Sequence, residues 1–176
     1  MKRAVFLDRD GVINCACVRK GKLYPPANLA EVEILPGVPQ ALAALREAGF
    51  LLIVVTNQPD VARGTTPRET VEEINSYLAA RLAIDEFRTC FHDTNDGCNC
   101  RKPLPGALLT AAKIHNIDLG KSYMVGDRWR DIEAGQRAGC KTIFIDCGYA
   151  EKQPESVDYR VKSLSEAAQI ILGEIK

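Results

Sequence analysis

The stretch "AVFLDRDGVIN", residues 4–14, decides the fold. Four apolar residues run without a polar break into Asp8, Arg9, Asp10 and Gly11. An unbroken apolar run this short fits a parallel strand covered on both faces, and the acids that follow fall at its carboxyl end. The same form recurs in "LLIVVT" (51–56), "SYMVGD" (122–127) and "KTIFID" (141–146), and a further strand is expected over "EFRTCF" (86–91). Between these runs lie segments of helical period at 37–49, 66–83, 105–116 and 130–139, with a closing helix over 163–175. Pro39, Pro67 and Pro105 stand near helix starts, and Gly49 and Gly139 stand where C-caps belong. The alternation predicts an α/β fold with a doubly wound, mostly parallel sheet.

At 176 residues, one domain over 1–176 is expected. Lys plus Arg and Asp plus Glu both number 23, so no charge excess points to nucleic acid or to an anionic membrane surface. No run approaches the roughly 20 apolar residues of a membrane span. The N-terminal apolar run is too short for a signal-peptide core, so a soluble cytoplasmic protein is expected. In a reducing compartment its seven cysteines serve as thiols or metal ligands. Residues 14–36, between the first strand and its helix, are long enough only for a loop or hairpin, so no cap domain is expected and the site should be open.

In such sheets ligands bind beyond the carboxyl ends of the strands. Three ends carry polar groups: Asp8 and Asp10 on the first, Thr56, Asn57 and Gln58 on the second, and Asp127 with Asp131 after a third. Any one of these could be an ordinary turn or cap. Together they suit a hard cation, because Mg2+ takes one or two protein carboxylates plus phosphate oxygens and water. Asp8 and Asp127 form the natural pair. With charge repulsion suppressed, Asp8 can attack phosphorus, and Asp10 can protonate the leaving oxygen and then deprotonate water. Thr56, Asn57 and Lys102 are expected to hold the phosphoryl oxygens, together with Gln58.

"FLDRDGVIN", "VVTNQ", "CRKP" and "MVGDRWRDIEAG" resemble, in order and spacing, the four motifs of the haloacid dehalogenase superfamily of phosphatases. Within it, Asp-Arg-Asp-Gly, "TNQ" followed by "ARG", and Cys-x-His…Cys-x-Cys-Arg-Lys-Pro resemble the heptose bisphosphate phosphatases and the related histidinol-phosphate phosphatases. The resemblance implies Asp8 as nucleophile, Asp10 as acid/base, and Asp8, Asp127 and the main-chain carbonyl of Asp10 as Mg2+ ligands. Asp131 should orient Lys102 or water rather than ligate directly. The implied reaction is hydrolysis of the 7-phosphate of D-glycero-D-manno-heptose 1,7-bisphosphate. Histidinol phosphate or a broader range of small metabolites is the alternative substrate. A rival of another class is a non-catalytic zinc-stabilised interaction domain. A monomer acting on a small phosphorylated sugar is expected. The chain departs from the family at Pro59-Asp60, where a small residue and Gly are usual, and at Arg128, where Lys is usual.

Cys90, His92, Cys98 and Cys100 supply a Cys3His set that fills all four positions of tetrahedral Zn2+, which marks a structural rather than a catalytic metal. Three thiolates and Zn2+ sum to one negative charge, a poor electrophile for phosphate. The loop runs without a gap into Arg101-Lys102-Pro103, so it reads as a clamp for two cations. Arg63, Arg101 and Arg128 are candidates to recognise a second phosphate or a polyol, or else solvated surface arginines. Trp129 could contact substrate or cover the sheet edge. Cys15, Cys17, Cys140 and Cys147 read as ordinary thiols and His115 as a surface residue.

Overall fold

The computed structural model describes residues 1–175; Lys176, the last residue of the expected 1–176 unit, lies outside the described residues. Its main sheet has six strands in the order β5-β4-β1-β6-β7-β8, and every neighbouring pair is parallel. In chain order these are β1 (Arg3–Leu7), β4 (Phe50–Asn57), β5 (Glu86–Cys90), β6 (Tyr123–Gly126), β7 (Lys141–Ile145) and β8 (Tyr159–Val161). Helices α1 (Val38–Glu47), α2 (Arg68–Ala79), α3 (Gly106–His115), α4 (Trp129–Ala138) and α5 (Leu164–Glu174) cover both faces. The elements expected from periodicity all form. Helix α2 is shorter than expected: Pro67 holds its N-cap in extended backbone, and the helix closes at Ala79.

Alternate residues of each strand serve opposite faces. Val5, Leu7, Leu52, Val54 and Val125 pack with α1, α2 and α5, whereas Phe6, Ile53, Val55 and Met124 pack with α3 and α4. Burial of each large apolar side chain contributes about 1.5–3 kcal/mol, so the strand ends that carry the polar groups are rigidly seated. Helix α4 lies close to the sheet because a Cβ on Gly135 would stand 2.6 Å from Met124 Cβ.

One element escaped the sequence reading. Strand β8 has only three residues, of which only Val161 is buried, too few to show a period. The 14–36 segment folds as the antiparallel hairpin β2 (Cys17–Arg19) and β3 (Lys22–Tyr24), followed by a 3-10 turn at Leu29–Glu31. This is one of the two outcomes its length allowed. It contributes Leu23 and Tyr24 to the walls of the cleft described below.

The strand order reverses direction about β1: the chain moves outward through β4 to β5, then returns to the other side of β1 at β6. That reversal opens a crevice at the carboxyl ends of β1 and β6. Leu7 pairs with Val125, and the Asp8 N–H donates to the Val125 carbonyl at 3.0 Å, so Asp8 and Asp127 leave the sheet side by side.

Candidate active site

The crevice holds a cleft of about 320 Å³ with Asp8, Asp10, Thr56, Lys102, Asp127 and Asp131 among its walls. Lys102 is buried and lies 94 residues from Asp8, yet its Nζ donates to Asp8 Oδ1 at 2.8 Å and to the Val55 carbonyl at 2.6 Å. The same ammonium stands 2.7 Å from Asp131 Oδ1. Burial opposes the cation, but the charges of Asp131 and Asp8 outweigh it and drive the Lys102 pKa well above the usual lysine value. Asn57 fixes this lysine by its main chain: its amide nitrogen donates to the Lys102 carbonyl and its Oδ1 accepts from the Lys102 N–H, both at 3.0 Å. The Asn57 side chain, expected on the phosphate, is engaged with the Lys102 main chain.

Asp131 works at the start of α4. Its Oδ2 accepts the Arg128 N–H at 3.0 Å, a cap at the positive end of the helix, while its Oδ1 takes Lys102. Both carboxylate oxygens therefore have a partner within the protein. Gly126 makes the fit possible, since a Cβ there would lie 2.1 Å from Asp131 Cβ.

Asp127 is different. Its Oδ1 is buried without a hydrogen-bond partner among the described residues. Burial, then the charges of Asp8 and Asp131, push its carboxyl well above the usual range. Burial and Asp8 likewise push Asp131 up to about 6, against the pull of Lys102. Oxygens of Asp8, Asp127 and Asp131 lie within 4.8 Å of one another. An orphaned oxygen in a crowd of buried carboxylates fits a hard cation such as Mg2+. Asp131 gives one oxygen to Lys102 and the other to the Arg128 N–H, whereas Asp8 gives only Oδ1 to Lys102 and Asp127 Oδ1 has no partner among the described residues. Gly11, at φ +92°, leaves the room, because a Cβ there would come within 2.0 Å of Asp127 Oδ2.

Asp10 stands across the cleft in a cage of donors. Arg9 Nε and Nη2 reach its two oxygens at 3.2 and 3.4 Å, Asn14 Nδ2 at 3.0 Å and Gln58 Nε2 at 2.9 Å. Gln58 also donates to Thr56 Oγ1 at 3.0 Å. The amide of Gln58 is therefore committed to Asp10 and Thr56, not free for phosphate as expected. Arg9 is fully buried and is held from behind by Asn75 Oδ1 at 2.8 Å. Arg9, Asn14 and Asn75 were not singled out from sequence. Asn75 left a signal, since it interrupts the apolar stripe Val71, Ile74, Leu78 on the buried face of α2.

Cys90, His92, Cys98 and Cys100 converge, with their ligand atoms within 4.8 Å of one another. A tetrahedron of thiolates about 2.3 Å from zinc has edges of about 3.8 Å. The Cys90–Cys98 sulfur separation is 3.8 Å, and Cys90–Cys100 and His92 Nδ1–Cys100 are 3.0 and 3.3 Å. Burial works to raise the Cys98 thiol, yet the Arg101 N–H and the neighbouring Cys100 and Cys90 bring it below its ordinary value. The donor set fits Zn2+ and sits outside the carboxylate cleft. The Cys140 thiol, pushed up to about 12 by burial, is an inert core group.

The arginines expected to meet substrate all line the cleft. Arg63 grips Asp93 through Nε and Nη2, both at 2.8 Å, and Arg128 grips Glu151 at 2.9 and 2.7 Å. Neither Asp93 nor Glu151 was anticipated as a partner; both lie in loops without a periodic signal.

Residues 99–167 match the family described as HAD-hydrolase-like. The chain is 33% identical over 187 aligned residues to D-glycero-beta-D-manno-heptose-1,7-bisphosphate 7-phosphatase of Pasteurella multocida, covering 98% of each protein. It is 39% identical over 156 residues to the enzyme of that name from Vibrio cholerae, covering 82% of this chain and 81% of the relative. The chain belongs to the heptose-bisphosphate phosphatase family of haloacid dehalogenase-like hydrolases. The D,D-heptose 1,7-bisphosphate phosphatase of B. bronchiseptica, solved with magnesium and phosphate, superposes on this phosphatase fold with a TM-score of 0.83 at 32% identity. That superposition covers 98% of this chain and 99% of the other, so the two share one architecture from end to end.

Proposed function

We propose that this chain is a Mg2+-dependent phosphatase that removes the 7-phosphate of D-glycero-β-D-manno-heptose 1,7-bisphosphate through an aspartyl-phosphate on Asp8. The observation that carries it is the meeting of Asp8, Lys102, Asp127 and Asp131 at one strand edge, with Asp10 caged opposite. The relatives that align along nearly the whole chain bear the name of this activity.

Asp8, Asp127 and the Asp10 carbonyl would hold Mg2+, which offsets the charge of the incoming phosphate when bound. An Asp8 carboxylate oxygen forms a bond to phosphorus while the bond from phosphorus to the sugar oxygen breaks. Asp10 gives its proton to that departing oxygen. In the second half, water loses a proton to Asp10 and attacks the same phosphorus. The bond to Asp8 breaks and inorganic phosphate leaves. Lys102 and the Thr56 hydroxyl neutralise the non-bridging oxygens in both halves. Arg9, Asn14 and Gln58 orient Asp10, while Asn57 and Asp131 orient Lys102.

Zn2+ on Cys90, His92, Cys98 and Cys100 fixes the loop from which Arg101 and Lys102 emerge. We further infer one cytoplasmic, monomeric phosphatase domain over 1–176 that acts on a small phosphorylated sugar, without nucleic-acid or membrane partners. Balanced charge and a lack of any helix long and apolar enough to cross a membrane, among the described residues, are consistent with it. Steady-state rates with Mg2+ on both anomers of the heptose bisphosphate and on histidinol phosphate test the substrate. A kcat/KM on histidinol phosphate equal to or above that on the heptose would overturn the assignment.

A further inference from the structure

Four arginines line the catalytic cleft, and they are not equivalent. Arg63 and Arg128 each present a two-toothed fork to a protein carboxylate, Asp93 and Glu151 respectively. Their charge is met inside the protein, and their best donors are occupied. Arg101 has one acceptor among the described residues, the His92 carbonyl at 3.3 Å. Arg130 has no acceptor within hydrogen-bond distance among them. Its nearest carboxylate oxygen, Glu151 Oε1 at 3.8 Å, is the one Arg128 already holds at 2.7 Å.

Arg130 also stands at a boundary. A second cavity of about 280 Å³ lies beside the catalytic cleft, and Arg101, Lys102 and Arg130 line both. Trp129 and Leu104 give it an apolar wall, and the Arg130 guanidinium lies 5.0 Å from the Trp129 ring centroid. Burial and then the charges of Arg128 and Arg101 work against the Arg130 cation, offset only in part by Glu151 and Asp131. An arriving anion relieves that repulsion; an uncharged sugar end does not.

We propose that Arg130, with Arg101, is the specificity-determining cation for an anionic group of the substrate remote from the reacting phosphate, held where the cleft meets the Trp129 cavity. The task expected of Arg128 thereby passes to the residue two positions on, because Glu151 has taken Arg128. The inference rests on the reading of the substrate as a sugar bisphosphate.

The test is the ratio of kcat/KM on a bisphosphate to that on its monophosphate, measured with Mg2+ for wild type, Arg130→Gln, Arg130→Lys and Arg128→Gln. Two pairs are compared: heptose 1,7-bisphosphate with heptose 7-phosphate, and fructose 1,6-bisphosphate with fructose 6-phosphate. Loss of a charge-assisted bond predicts that the ratio falls about tenfold or more in Arg130→Gln, through KM on the bisphosphate, with partial recovery in Arg130→Lys. A variant that merely disturbs the fold lowers both members of a pair alike and leaves the ratio standing, which would overturn the assignment. Loss of the ratio in Arg128→Gln alone would overturn it too, as would a wild type without preference for either bisphosphate. If the wild type favours the fructose pair over the heptose pair, the heptose reading fails, and the subsite is judged by the same ratio on the fructose pair.

Discussion

Lys102 Nζ sits 2.8 Å from Asp8 Oδ1 although 94 residues separate the two in sequence, and both are buried. The ammonium is the counter-charge of two buried carboxylates, Asp8 and Asp131, and on the proposed reading it is also the donor that meets the oxygens of a bound phosphoryl group. Replacement of one partner leaves a buried charge unmatched. For Lys102→Met, unfolding free energy should fall by about 3–5 kcal/mol, with activity lost. Denaturant titration without Mg2+ checks the first point. A stability equal to wild type would show that the lysine is not the charge partner of Asp8 and Asp131.

Asp10→Asn removes the proton donor and turns one of the two oxygens that Arg9, Asn14 and Gln58 donate to into an amide nitrogen. On a sugar phosphate the rate should fall about 10²–10⁴-fold. An aryl phosphate, whose leaving group departs without protonation, should show a smaller loss in the phosphorylation step. Single-turnover rates on both substrates measure the difference. Equal losses would contradict general acid catalysis by Asp10.

The carboxylates set a pH dependence. Asp131 is pushed up to about 6 from 3.8, and Asp127 is also raised, each first by burial. Between the unfolded value near 3.8 and the folded value, the folded state binds more protons than the unfolded one. Metal-free stability contributed by these groups therefore falls as pH rises through that window. A cation that replaces the protons reverses the trend, so the rise in Tm on adding Mg2+ should be larger at pH 7.5 than at pH 5.5. Calorimetric scans with and without Mg2+ at both pH values check this, and an equal rise at both would count against it.

Gly11→Ala places a Cβ against Asp127 Oδ2 in a left-handed backbone position. Half-maximal activation should require about tenfold more Mg2+ or beyond, since loss of one well-placed ligand contact costs at least about 1.4 kcal/mol. A Mg2+ titration of the initial rate tests it; an unchanged midpoint would mean the cation sits elsewhere.

The cysteine loop predicts one zinc per chain, measured by elemental analysis of the purified protein. Cys98→Ser should lower the zinc content and raise KM more than it lowers kcat, because the loop delivers Arg101 and Lys102 while Asp8 and Asp10 lie in the turn that follows β1. Full zinc content and an unchanged KM in that variant would contradict the clamp.

The strand ends were legible because continuous apolar runs stopped abruptly at acids, and β1, β4 and β6 follow those runs closely. The meeting of Asp8 with Asp127 followed from the rule that ligands gather beyond strand carboxyl ends. What sequence spacing could not express is which polar side chain faces the cavity and which faces a neighbour. Asn57 and Gln58 look like phosphate ligands in a line of letters, but the Asn57 amide is engaged with the Lys102 main chain and the Gln58 amide donates to Asp10 and Thr56. Arg9 was not singled out from sequence, because its burial and its grip on Asp10 depend on α2 bringing Asn75 behind it. Arg128 was singled out and Arg130 was not; the spacing could not show that Glu151, 23 residues beyond Arg128, folds back onto it.

The most direct test of the central claim is 31P NMR of D-glycero-β-D-manno-heptose 1,7-bisphosphate incubated with the protein and Mg2+. The 7-phosphate resonance should give way to inorganic phosphate while the 1-phosphate persists, and Asp8→Asn should leave both signals in place. Release of the 1-phosphate, or turnover that survives Asp8→Asn, would contradict a 7-phosphatase with Asp8 as its nucleophile.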